Sequence, residues 1–475
     1  MHDVTTADVS PHTQLQRLRA EYPVFRIEDA RATRTPAGVT LEFAFAAGEL
    51  RFQPVVEFTG LSEDETAAVT TPTARRMIRA LAIIEAFSYW KALCSQVIEV
   101  ALPAPDAAEL DWWRKFWPGA MGEFFYRNGI DYTVPGFLEI RSAAGPEPAE
   151  VADQRAPATK SPLVMFSGGK DSLALARIIQ SSVIQDGGAA PADFFLYNPV
   201  APQRDLAQSL AAGGRFLEVR RTILPELLRL NAAGHPNGHT PFSAYLAFAA
   251  MLAGYLRGSE FVVAGNSRSD DEPNVESYLG RPVNHQWTKS YEFEAALAAY
   301  RRRWLPGAPV YCSPLRPLYE LQIIASLADD IDGYFRTASC NRVKGEGWCR
   351  SCAKCAWVFL ATAALFGHDR AIRKIGADMF ADPGLAGVYA EMAGLTGSKP
   401  FECTGSEDEV RAAIRAAAQG HDLDSFPALA TCLRDPAIAA ARPLDELLAD
   451  WGRDDLLPAV LKDQVKKAVA TAGRA

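Results

Sequence analysis

The sequence has no excess of positive charge. Its 475 residues carry 49 lysines and arginines against 57 acidic residues, a formal charge of −8 with a pI of about 5.6. A nucleic-acid partner normally leaves a basic footprint, so none is expected. There is also no run suited to a bilayer. The longest uncharged stretch, Thr240 to Leu256, contains Ser, Tyr and Gly. It is shorter than the roughly 20 apolar residues of a spanning helix and reads as a buried core helix. The first residues, MHDVTTADVS, offer neither a positive region nor an apolar one. No secretory signal and no membrane partner are expected, and a cytoplasmic location follows. No repeat of solenoid period is evident. Cysteine is sparse, eight in all. In a reducing compartment disulfides are disfavoured, so any clustering of thiols points to metal. The apolar and charged fractions are those of an ordinary globular enzyme, and the length suits two to four domains.

The most informative stretch that is present is Leu163-Val-Met-Phe-Ser-Gly-Gly-Lys-Asp-Ser172. Four apolar residues predict a buried strand, SGGKDS a tight turn, and Leu173 to Ile179 an amphipathic helix. Strand, glycine turn and helix N-terminus together make a phosphate cradle. The glycines admit oxyanions to the backbone, and the helix start favours negative charge. Lys170 adds a cation. Asp171 would repel a bare phosphate, so magnesium between carboxylate and phosphate is expected. The spacing is not that of a Walker A loop, GxxxxGK[ST]. It resembles the SGGxDS loop of the PP-loop ATP pyrophosphatases, which split ATP between its α and β phosphates.

Four of the cysteines, Cys340, Cys349, Cys352 and Cys355, follow the pattern C-x8-C-x2-C-x2-C. Four thiolates at such spacings close around one tetrahedral zinc and leave no open position, which makes the expected role structural. An iron–sulfur cluster is the competing reading, and free buried thiols a third. Lys344, Arg350 and Lys354 would offset the thiolate charge. Cys94, Cys312, Cys403 and Cys432 lack such spacing and read as small core residues, although Cys403 lies in a polar loop where it could be reactive.

Along the chain, residues 1–142 predict an N-terminal α+β module that caps the nucleotide site or supplies substrate contacts. Segments 24–28, 39–44 and 50–57 alternate as strands, the first two framing a hairpin across Thr35–Gly38. Thr73 to Ile98 reads as one long helix with a single apolar face, and Leu110 to Arg127 as a helical stretch dense in aromatics. Those rings are either core or a stacking surface for a sugar or base. Residues 143–162 read as a linker. Residues 163–369 alternate strand and helix, which implies a doubly wound parallel sheet with ligands at the carboxyl ends of its strands. Asn198, Gly265 and Asn266 end strands there and are candidate nucleotide contacts. Asp270, Asp271 and Glu272 are candidate magnesium ligands, with a solvated loop as the alternative. Residues 370–475 read as a helical C-terminal region with a packing or oligomerisation role.

SGGKDS with the cysteine knuckle is similar to 7-cyano-7-deazaguanine synthase. The wider pattern resembles the ATP-dependent UDP-N-acetylmuramoyl-L-alanyl-L-glutamate epimerases, the MurL family. The matching stretches are Glu85-Ala-Phe-Ser-Tyr-Trp-Lys91, Gly122-Glu-Phe-Phe-Tyr-Arg-Asn-Gly129, SGGKDS, Val283-Asn-His-Gln-Trp-Thr-Lys-Ser-Tyr-Glu-Phe-Glu294 and SCN…WCRSCAKC. They cover most of residues 80–366. The resemblance implies an α/β fold of PP-loop ATP pyrophosphatase type with ATP, magnesium and structural zinc. It also implies a UDP-linked muramoyl dipeptide substrate. The reaction implied turns L-Glu into D-Glu through an acyl-adenylate, with AMP and diphosphate as products. A ligase that makes the L-Glu substrate would be the functional partner. Another carboxylate-adenylylating ligase is the alternative, although no glutaminase signature is present to supply ammonia for an amide.

On that reading Ser167, Gly168, Gly169 and Ser172 grip the pyrophosphate. Lys170 neutralises developing charge, and Asp171 holds magnesium. Proton transfer at the glutamate α carbon is harder to place. His285, Lys289, Glu292 and Glu294 are the candidates, with His235 and His239 beside another loop, and Lys289 is alternatively a binder of the glutamate carboxylates or the UDP phosphates. Glu292 and Arg316 are candidate substrate contacts, the guanidinium fitting a carboxylate in two-pronged fashion.

Overall fold

The computed structural model describes residues 10–472 apart from 104, 144, 146–160, 186–190, 344–346 and 422–424. Most of the expected linker, and Lys344, lie outside the described residues.

Thirteen strands are described: β1 Val24–Thr35, β2 Gly38–Ala47, β3 Leu50–Phe52, β4 Val55–Thr59, β5 Val97–Val100, β6 Glu139–Ser142, β7 Leu163–Met165, β8 Asp193–Tyr197, β9 Phe216–Arg221, β10 Phe261–Val263, β11 Val275–Tyr278, β12 Arg281–Val283 and β13 Val310–Cys312. Eleven of them form one mixed sheet in the order β13-β10-β7-β8-β9-β4-β2-β1-β5-β6, with β3 on β2, and β11 and β12 make a separate hairpin. Pairing is parallel from β13 to β9 and again from β1 through β5 to β6. The fold is therefore α/β with a large, parallel-rich sheet. From β7 the chain winds outward to β8 and β9, then returns to place β10 and β13 on the other flank. The winding direction reverses between β7 and β10, which opens a crevice at their carboxyl ends.

The sheet runs on across the boundary expected near residue 143. β4 pairs antiparallel with β9, Val56 opposite Arg221 and Thr59 opposite Glu218. Above that seam Arg221 donates to Glu85 at 2.8 Å and to Ser88 at 3.0 Å, with both charged side chains nearly or fully buried. Arg221→Met would leave Glu85 in the core without its partner. The expected cost is about 3–5 kcal/mol, read as a lowered urea midpoint, and adding Glu85→Gln should restore most of it.

Two helix boundaries differ from the sequence reading. The helix expected to run to Ile98 ends at Trp90, and residues 97–100 are β5. Cys94 takes a left-handed φ of 50°, which turns the chain off the helix axis and back to the sheet. Its sides are buried almost all round, not along one face, because a second apolar helix, Phe242–Arg257, covers it. The aromatic stretch is two helices, Ala107–Ala120 and Gly122–Arg127, broken just after Pro118 and Gly119. Trp113, Phe116, Trp117, Phe124 and Phe125 are buried in the core. Tyr126 alone of these is exposed, lying against Phe401 with ring centroids 5.5 Å apart. The 35–38 hairpin turn and the strands of 163–264 lie where the sequence puts them, within a residue or two.

Candidate functional site

The turn after β7 delivers Ser167 to Ser172 into the crevice, with the helix Lys170–Gln185 beginning inside the motif. Gly168 holds a φ of 77°, and a Cβ there would lie 2.8 Å from Gln203 Cγ. Gln203 in turn donates to the Ser167 carbonyl at 2.8 Å and so braces the turn from outside. Ser172 closes it by donating to the Gly169 carbonyl at 2.8 Å. Gly265, at the end of β10, passes so close that a Cβ would stand 3.3 Å from the Asp171 carbonyl carbon. The free N–H groups expected at such a helix start make the turn a natural anion seat.

Lys170 is buried and bonded on two sides, to Asp171 at 2.7 Å and Glu320 at 2.9 Å. Burial opposes its charge, but the two carboxylates more than compensate and hold the ammonium protonated. Glu320 also accepts from Trp357 Nε1 at 2.5 Å. The sequence reading missed Glu320, which comes from a helix start far down the chain. A cavity of about 340 Å³ opens beside Gly168, lined by Gln203, Phe335, Arg336, Thr337 and Trp348 among others.

The remaining nucleotide candidates are tied into the scaffold. Asn198 exchanges two hydrogen bonds with the Arg221 backbone, clasping β8 to β9. Asn266 donates to Tyr311 and Ser313 in a buried setting. Of the three acidic residues, Asp270 accepts from the Ser267 N–H, Asp271 from the Tyr291 N–H, and Glu272 pairs with Lys399. Burial pushes the Asp270 carboxyl up to about 7, against the pull of Lys289 and Arg316. The Arg316 guanidinium is engaged by Glu294 and by the carbonyls of Ser267 and Lys289. It thereby fixes the short turn Trp287–Lys289. Glu292 accepts from Trp287 Nε1 at 2.9 Å. It faces a second cavity of about 520 Å³, whose wall includes Lys115, Tyr132, Arg281, Tyr291 and Arg453.

His285 and Lys289 come together with residues from both distant ends of the chain. Glu123, from the helix Gly122–Arg127, receives a 2.5 Å hydrogen bond from His285 Nδ1 and lies 3.2 Å from His239 Nδ1. Cys403, from the C-terminal region, accepts from Lys289 Nζ at 3.6 Å. Asn274 joins the two loops: its side chain accepts from the His285 N–H at 2.7 Å and donates to the Pro400 carbonyl at 2.6 Å. His235 stands apart, bonded to the Ala92 carbonyl.

These neighbours set unusual charge states. Burial would raise the Cys403 thiol, but Lys289, then Lys354 and His285, bring it down to about 5. Burial would lower His285, yet its interactions with Cys403 and Glu123 hold it up at about 9. Burial and the neighbouring His285 charge push His239 down to about 4. At neutral pH the cluster holds a thiolate, an imidazolium and a neutral imidazole side by side. The lysine between them carries a charge that also reaches Asp171, Asp270 and Glu320 at the turn. Glu123, His239 and His285 offer ligand atoms within 4.8 Å of one another. Arg127 on Glu123 and Lys91 beside His239 make that neighbourhood cationic, which suits an anionic substrate better than a metal ion.

The four cysteines of the knuckle also converge, their sulfurs all within 4.8 Å. Cys352 and Cys349 lie 3.5 and 3.7 Å from Cys355. That is far beyond a disulfide bond of about 2.05 Å and near the edge of a tetrahedral thiolate set around one ion. The set could hold a metal such as zinc. No helix among the described residues is long and apolar enough to cross a membrane.

Among known proteins, the MurL N-terminal domain matches residues 16–314 and the MurL C-terminal domain residues 336–445. A UDP-N-acetyl-alpha-D-muramoyl-L-alanyl-L-glutamate epimerase from Micromonospora is 32% identical over 92% of this chain and 95% of its own. Proteins of the same name from Salinispora tropica and Xanthomonas oryzae are 33% and 31% identical, over 76% and 72% of this chain and 77% and 74% of theirs.

Proposed function

Since the chain belongs to the MurL family, we propose that it epimerises the terminal L-Glu of UDP-MurNAc-L-Ala-L-Glu to D-Glu in peptidoglycan precursor synthesis. The finer steps are our reading of the site. ATP is split at its α phosphate, and the glutamate α-carboxylate is adenylylated. A proton beside a free carboxylate is very hard to remove, because the carbanion would adjoin an existing negative charge. Adenylylation removes that charge and lets the carbonyl share the carbanion as an enolate.

The observation that carries this reading is Lys289. It joins the anion-seating turn of PP-loop type, with Lys170, Asp171 and Glu320, to the cluster of Cys403, His285, Glu123 and His239. On this reading activation and proton transfer would take place side by side. Ser167 to Ser172 would hold the pyrophosphate, and Asp171, partly exposed, would share a magnesium ion with it. The cavity beside Gly168 would take the nucleoside. The basic and aromatic wall near Glu292 suits the uridine diphosphate end of the substrate. A charged His285 and a neutral His239 supply an acid and a base of separated pKa.

The test is incubation with ATP, magnesium and the L-Glu substrate in deuterium oxide. AMP release together with deuterium at the glutamate α carbon is expected. AMP only with ammonia and a deazaguanine acid would instead make the chain a synthase. The pH profile follows from the charge states. His239 is neutral above about pH 4, and His285 stays protonated below about pH 9. Hence kcat/KM should rise through the first value and fall through the second.

At the knuckle, the short sulfur separations favour a single structural zinc, because a multi-iron cluster spreads its thiolates farther apart. Metal analysis should give one zinc per chain. Stripping it at pH 7 should lower Tm by several degrees, since metal binding free energy is folding free energy.

A further inference from the structure

We propose that Cys403 is a nucleophile that takes the glutamyl group from AMP, so that epimerisation occurs on a thioester bound to the enzyme. This rests on the acyl-adenylate reading above. Three observations lead to it. Glu123 orients the His285 imidazole through a 2.5 Å bond, and the same imidazole interacts with the Cys403 thiol. A carboxylate that fixes an imidazole which polarises a thiol is the arrangement of a covalent nucleophile. Next, Lys289 Nζ stands 3.6 Å from the sulfur while its charge also reaches Asp171 and Glu320. That puts the sulfur on the side where the adenylate is made. Finally, the loop that carries Cys403 is pinned to the His285 turn by the two bonds of Asn274 and by the Lys399 N–H on the Asn274 carbonyl at 2.9 Å. A core cysteine needs no such clamp. The low thiol pKa is in keeping with this role. It makes the sulfur a weak base toward a C–H bond and a ready leaving group.

The step balances without any further reactant. The thiolate lone pair attacks the carbonyl carbon of the adenylate, and a C–S bond forms. The C–O bond to phosphate breaks, and its electron pair leaves on AMP. The thioester carbonyl shares the carbanion when a base takes the α proton from one face, and an acid returns a proton to the other. Water then adds to the carbonyl, the C–S bond breaks, and the thiolate is regenerated with the D-Glu carboxylate and two protons. No group is oxidised or reduced.

The full-length enzyme is mixed with ATP, magnesium and the L-Glu substrate and quenched in acid during the first turnovers. Mass spectrometry should find the peptide containing Cys403 heavier by the substrate less one water, and hydroxylamine should remove the addition. Cys403→Ala should still release diphosphate in a burst of about one equivalent. Its epimerisation should fall about 10³-fold or more, as expected for loss of a nucleophile. Cys403→Ser, followed by melting, keeps the result readable if the alanine variant is unstable. Epimerisation within tenfold of the parent in a folded Cys403 variant overturns the proposal. So does AMP turnover by the parent with no adduct on Cys403. In both cases adenylylation itself still stands. A parent that releases no AMP at all removes the adenylate and the thioester together.

Discussion

Lys170→Met should cut AMP formation and epimerisation together, with a fall of about 10²- to 10³-fold in kcat. Removing one preorganised charge partner of a transition state typically costs that much. Lys170 is 7% exposed and sits between Asp171 and Glu320 at 2.7 and 2.9 Å, so no surface lysine can take its place. The single substitution carries a second effect. Glu320 would stay buried without its cation, at a cost of about 3–5 kcal/mol, and lost activity could then reflect lost fold. The double variant Lys170→Met/Glu320→Gln separates the two. It should recover most of the melting temperature and none of the AMP release. A folded variant that still forms AMP within tenfold of the parent would remove Lys170 from the activation step.

Lys289→Met should divide its effect between the two halves of the site. Lys289 is the largest of the charges that lower the Cys403 thiol, so its loss lets burial raise that pKa again. For an ordinary thiol only about a few per cent is ionised at pH 7. Alkylation of Cys403 by iodoacetamide should therefore slow by about tenfold or more at that pH and recover as the pH is raised. AMP formation should weaken as well, because the same charge acts on Asp171 and Glu320. Epimerisation should fall further than AMP release, since it needs both. Equal losses in the two readouts, with the thiol reactivity unchanged, would make Lys289 part of the activation half alone.

Local order made the strand, turn and helix around SGGKDS legible in the sequence. SGGKDS lies between a strand and a helix that are its immediate neighbours, so pattern and chemistry agree within ten residues. The cysteine spacing was legible for the same reason. Contacts made over long separations were not. Cys403 is 114 residues from Lys289, and Glu123 is 162 from His285. Neither distance leaves a periodic signal. The only hints were the polar setting of Cys403 and the inclusion of Glu123 in a stretch that resembles the family. The C-terminal region read as chemically silent because it is helical and rich in alanine. On our proposal what matters in it is Cys403, in a loop that Asn274 holds through Lys399 and Pro400. Helix ends failed where a backbone angle decided them: an apolar pattern runs on past Trp90, and the left-handed Cys94 that stops it is invisible to periodicity.

The pairing of β4 with β9 bears on how the protein can be cut. A fragment that starts after residue 160 would contain every strand from β7 onward, and by length alone it looks like a self-sufficient unit. Its β9 would end with one edge bare, and Arg221 would lose Glu85. An unprotected edge strand invites pairing between copies. Such a fragment should precipitate or form soluble aggregates on expression. Co-expression with residues 1–142 should rescue it, the missing strand being supplied in trans.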